Sequence, residues 1–110
     1  MRLSEVLRRL EAEEIVPAAD YDVEVYDACA SDMLSDILAV EKTDFVILTG
    51  LTTAQVVRTV EISVAIAAIL VRNKVPAADT VKFAQAKGVT LARTRLHTFE
   101  ACVRLADLKR

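Results

Sequence analysis

Apolar and polar positions alternate with two different periods along this chain. Leu3, Val6, Leu7 and Leu10 recur at helical spacing behind Ser4, an N-cap residue type, so a first helix is expected over 4–13. Glu14 to Val16 reads as a short extended piece ended by Pro17. Val23-Glu24-Val25-Tyr26 alternates and is rich in β-branched residues, which predicts a strand running into Cys29. Leu34, Ile37 and Leu38 then lie on one helical stripe, and Lys42-Thr43-Asp44 makes a turn. Phe45-Val46-Ile47-Leu48 is an unbroken apolar run, the pattern of a strand covered on both faces. After Thr49-Gly50-Leu51-Thr52-Thr53 a helix is expected with Val56, Val57, Val60 and Val64 buried. Ala67 to Val71 is the next buried strand, and 73–76 a loop. Ala78 to Lys87 reads as a helix closed by Gly88, and Val89 to Ala92 as a strand. Phe99, Cys102, Val103 and Ala106 mark a final helix.

Strand followed by helix, repeated after an initial helix, predicts an α/β fold: a mainly parallel sheet with helices packed on its faces. At 110 residues, one domain over 1–110 is expected. Hydrophobic residues at 54% exclude a disordered chain. A formal net charge of -2 gives no basic footprint, so nucleic acid is not an expected partner. The most apolar stretch, 64–71, is far shorter than the roughly 20 residues of a membrane helix, so no membrane partner is expected. Cys29 and Cys102 have no metal-ligand spacing, and with no export signal at the N-terminus they suit a reduced, cytoplasmic setting.

Candidate chemistry follows from the topology, because ligands of open parallel sheets sit beyond the carboxyl ends of the strands. Four loops begin at that edge: at Cys29-Ala30-Ser31-Asp32, Thr49-Gly50-Leu51-Thr52-Thr53, Arg72-Asn73-Lys74 and Arg93-Thr94-Arg95. Their hydroxyls, cations and approach to helix N-termini suit a small anion. The expected ligand-binding residues are Ser31, Asp32, Thr49, Gly50, Thr52, Thr53 and Arg58. Gly50 would let the backbone approach a ligand, Arg58 would supply charge, and Ser31-Asp32 the opposite wall. The Ser31-Asp32 and Ser35-Asp36 pairs sit one helical turn apart. Ser31 reads as an N-cap with Asp32 at the first helical position, and Asp36 as a solvated or subunit-facing side chain. No further oxygen ligands stand nearby, so no metal is expected. Cys29 reads as a buried structural thiol, and His97 as a surface residue before Thr98, the expected N-cap of the last helix. No nucleophile–base pair is recognisable, so no catalytic residue is assigned, the chain reads as a non-enzyme and no cofactor can be named.

The residues VEVYDACASDMLSDILAV (23–40) resemble the strand-loop-helix core of the DRTGG domain family. The likeness continues in LTGLTTAQVVRTVEI (48–62), ILVRNKVP (69–76), AKGVTLA (86–92) and FEAC (99–102). The region corresponding to the name-giving signature, near Val25 to Cys29, has neither glycine. The resemblance implies a small stand-alone α/β domain, related to regions beside CBS domains, in some phosphotransacetylases and at the N-terminus of HPr kinase. It implies a regulatory or ligand-sensing role without a catalytic motif.

The expected function is therefore a non-enzymatic regulatory domain that binds a small anionic metabolite or nucleotide at the carboxyl edge of the sheet. The alternative is a protein–protein interaction module that docks on a partner protein without a small ligand. Met33 and Ile62 lie off the buried stripes of their helices, which predicts a homodimer that covers one or both.

Overall fold

The computed structural model describes residues 1–108. Its elements are α1 (Leu3–Arg9), β1 (Glu13–Val16), β2 (Asp27–Ala30), α2 (Leu34–Ala39), β3 (Phe45–Thr49), α3 (Gln55–Ser63), β4 (Ala67–Leu70), α4 (Ala78–Lys87), β5 (Thr90–Arg93) and α5 (Thr98–Arg104). The sheet has five strands in the order β1-β5-β4-β3-β2. β2 through β5 are parallel neighbours in chain order, and β1 adds antiparallel to β5 at the far edge. The expected α/β class is what the chain adopts.

Alternation along the central strands divides the core into two layers. Val46 and Leu48 of β3 face Leu3, Val6, Leu7, Ala101 and Leu105 of α1 and α5. Phe45 and Ile47 face Ile37 of α2, Val56, Val57 and Val60 of α3, and Ala84 of α4. A strand covered on both faces has no solvent side to mark with polar residues, and all five residues of β3 are buried.

Several boundaries differ from the sequence expectation. Val23 to Tyr26 lies before the β2 ladder: Val25 donates its N–H to the Met1 carbonyl and Leu3 donates to Val23, so this segment pairs with the chain start. The strand itself is Asp-Ala-Cys-Ala, whose small side chains carry little β propensity, and its partnership with the buried β3 decides the matter. Helix α1 begins at Leu3 with Arg2 at the cap position, so Ser4 is no N-cap. Helix α3 stops at Ser63, and Val64 turns left-handed (φ 57°) and is 79% exposed, so it lies outside the buried stripe. Helix α5 is turned away from its expected face: Ala101 and Leu105 are buried, while Phe99, Cys102, Val103 and Ala106 point to solvent. Helix α4 and its Gly88 terminus (φ 67°) agree with expectation residue for residue.

Candidate functional site

Beyond the carboxyl ends of β2, β3 and β4, three segments meet at the carboxylate of Asp32. Its Oδ1 accepts the Gly50 N–H at 2.7 Å and the Thr49 hydroxyl at 3.3 Å. Its Oδ2 accepts from Arg72 Nη2 at 3.0 Å. The other Arg72 nitrogen, Nη1, donates to Thr98 Oγ1 at 3.3 Å, which ties in the start of α5. Thr49 is buried as the last residue of β3, and its hydroxyl also accepts the Leu51 N–H at 3.3 Å. The Gly50 N–H, with help from Arg72, holds the Asp32 carboxyl below its ordinary pKa, against a smaller opposing effect of desolvation.

Gly50 has a steric reason here. A Cβ on it would lie 1.9 Å from Arg72 Nη2, so the guanidinium occupies the space that any side chain would take. The turn that delivers Arg72 is strained. Arg72 (φ 61°) and Asn73 (φ 57°) are consecutive non-glycine residues in the left-handed region.

No family model matches the chain, and no curated protein matches it. Among solved structures it is similar to the CBS and DRTGG domains of the regulatory region of Clostridium perfringens pyrophosphatase, complexed with its activator diadenosine tetraphosphate. The two share a TM-score of 0.78 at 14% identity over 98% of this chain. The chain has a CBS/DRTGG-like fold. It spans about half of that structure, 47% of its length. The resemblance read from the sequence thus holds at the level of the fold.

Within the CBS/DRTGG-like fold, the expected ligand-binding residues separate into two groups. Asp32, Thr49 and Gly50 come together. Ser31 adjoins them as a local turn: its Oγ accepts the Met33 N–H at 2.9 Å. Ser31 is no helix cap, because α2 begins later, with Met33 at the cap position, and Asp32 likewise precedes the helix. Thr52 faces α4 through its carbonyl, which accepts the Thr80 hydroxyl at 2.8 Å and the Ala77 N–H at 3.3 Å. Thr53 is exposed, and its carbonyl accepts the Val56 N–H in the first turn leading into α3. Arg58 lies far from the cluster in its interactions. Its guanidinium stacks on the Phe83 ring of α4, 5.1 Å from the centroid. The cation that sequence reasoning assigned to Arg58 is supplied by Arg72. The signal for it was adjacency, since Arg72 follows the buried strand that pairs with β3.

Two cavities lie elsewhere. One of about 140 Å³ opens at the end of β5 between Glu11, Glu13, Asn73, Arg93, Thr94 and Arg95. Arg93 is committed there: it donates to Glu13 at 3.0 Å, to Asn73 Oδ1 at 2.8 Å and to the Lys74 carbonyl at 3.0 Å. Arg95 pairs with Glu11 at 3.0 Å. These contacts fasten β1 and the 72–74 turn to β5. The other cavity, about 290 Å³, lies at the opposite end of the sheet beside Leu3, Ile66 and Thr90. From β2 to β5 the strand order never reverses, so the deep crevice that a reversal creates is not formed in the parallel part.

Cys29 is buried, and that burial pushes its thiol pKa up against the pull of Lys42, which keeps it protonated at neutral pH. His97 is exposed and takes the cap position of α5 in place of Thr98. Among the described residues no group of three or more His, Cys, Asp or Glu side chains is arranged to hold a metal ion. No helix of the described residues is long and apolar enough to cross a membrane.

Proposed function

We propose that residues 1–110 form a DRTGG-type regulatory domain that senses a small anionic metabolite or nucleotide at the carboxyl edge of its sheet. One observation carries this reading: a backbone N–H, a hydroxyl and a guanidinium from two segments converge on a single carboxylate at that edge. A donor set that holds a carboxylate in this way also suits phosphate or carboxylate groups of a ligand. The similar structure of a regulatory region carries a dinucleotide activator, which supports the ligand class. The role is read as regulatory rather than catalytic because the similar solved structure is that of a regulatory region. Two unpaired cysteines support a cytoplasmic setting.

A thermal-shift and calorimetric screen of mononucleotides, dinucleoside polyphosphates and phosphorylated metabolites tests the proposal. At least one class raises Tm in proportion to its concentration. Uniform silence from folded protein overturns it.

A second reading, docking on a partner protein, is favoured by the outward face of α5, where Phe99 is 82% exposed beside Val103. Phe99→Ser abolishes capture of such a partner if docking is the function, and the ligand screen then stays silent.

A further inference from the structure

We infer that Asp32 is a built-in stand-in for the ligand's phosphoryl group: its carboxylate occupies an oxyanion position formed by Gly50, Thr49 and Arg72, and an incoming phosphate displaces it. The inference rests on the regulatory reading above and specifies how that site works. Each donor is in place for a reason independent of Asp32. The Gly50 N–H is fixed by the end of β3, where Thr49 is buried. The Arg72 guanidinium lies over Gly50 in the space that only a glycine leaves. Thr98 holds the second Arg72 nitrogen.

Asp32 is the group that moves in this scheme, since its side chain is more exposed than that of Arg72, 48% against 33%. It belongs to the connection between β2 and α2, precedes the helix, and is largely exposed. It presents two oxygens to three donors, and a phosphoryl group presents three oxygens to the same donors. Arg72 and Asn73 hold backbone conformations that cost energy, and strain of this kind collects at ligand clamps. Displacement of Asp32 would release the Ser31–Met33 turn and with it the start of α2. Ligand occupancy would thereby be transmitted to an outer helix of the sheet.

The test uses the full chain labelled with 15N, titrated with inorganic pyrophosphate and with ATP. The chain has two glycines, so Gly50 and Gly88 supply the glycine amide signals, and Gly88 at the far end of α4 serves as the internal control. Asp32→Asn removes the competing charge. It binds pyrophosphate about tenfold more tightly than the wild type, the scale of one charge-assisted contact. The Gly50 amide shifts on binding while the Gly88 amide stays in place. Asp32→Ser serves as a second variant should the amide fail to fold. Adding Arg72→Met to either variant removes the gain. Equal or weaker binding by the Asp32 variants overturns the inference, as does a stationary Gly50 signal. Binding of ATP to the wild type with Gly50 unmoved keeps the regulatory reading and removes this one. Silence of all proteins toward both probes, and toward the wider panel, removes both.

Discussion

Gly50 lacks a side chain, and Arg72 uses the room. Gly50→Ala therefore pushes the guanidinium away rather than deforming the strand, because the clashing atoms are the end of a flexible side chain. The Asp32 carboxyl pKa then moves up toward the ordinary value, and carboxyl titration by NMR reads the change. Asp32 also sets an acid dependence. Its folded-state pKa is lowered, so its contribution is complete above the unfolded value of about 3.9 and is lost as pH falls through the folded value. The stability difference between wild type and Asp32→Asn, about 1 kcal/mol or less for so exposed a group, holds at pH 6–7 and declines as the Asp32 carboxyl protonates at acid pH in urea denaturation. Three of the four residues of this cluster were legible in the chain. Asp32, Thr49 and Gly50 stand beside strand ends, and the carboxyl-edge rule selects them. Arg72 was placed in a loop at the same edge but not among the binding residues, because its pairing with Asp32 depends on which strands are neighbours. Arg58 was misplaced because its helical position states a distance from the loop but not the face, and Phe83 takes it.

Helix endings show the same division between local and tertiary causes. At α4 the sequence reading is complete, because a glycine at a left-handed terminus is a local signal. At α3 the same geometry falls on Val64, which no local rule would choose. The two positions predict opposite responses. Gly88→Ala costs about 1 kcal/mol through backbone strain alone, since nothing lies within 4 Å of the added Cβ. Val64→Gly is stabilising by about 0.5–1 kcal/mol because it relieves a β-branched residue from that conformation without loss of packing. Urea denaturation of the pair checks both signs. Helix α5 was misread because its apolar residues are distributed over two faces. Leu105 and Ala101 take the core, which leaves Phe99 and Val103 outside. Leu105→Ala costs about 2–5 kcal/mol by the same measurement, and Phe99→Ser changes stability by less than about 0.5 kcal/mol.

For the molecule as a whole, the exposed apolar surface bears on assembly. Met33 is 60% exposed and Ile62 is 69% exposed, on the neighbouring helices α2 and α3 or at their ends. We propose a symmetric homodimer that covers this face. Light scattering across a concentration series gives twice the chain mass. Met33→Glu and Ile62→Glu shift it toward the monomer, and a monomer at high micromolar concentration refutes the dimer. The topology also carries a consequence for the order of events during synthesis. β2 to β5 each pair with the strand that precedes or follows them in the chain, so that part of the sheet can be laid down as it emerges from the ribosome. β1 is made earlier than any of them and waits for β5, with Glu13 and Arg93 lying 80 residues apart. The strand made ahead of the others thus joins the sheet only once β5 is made, and until then the β5 edge is open to a strand from another chain.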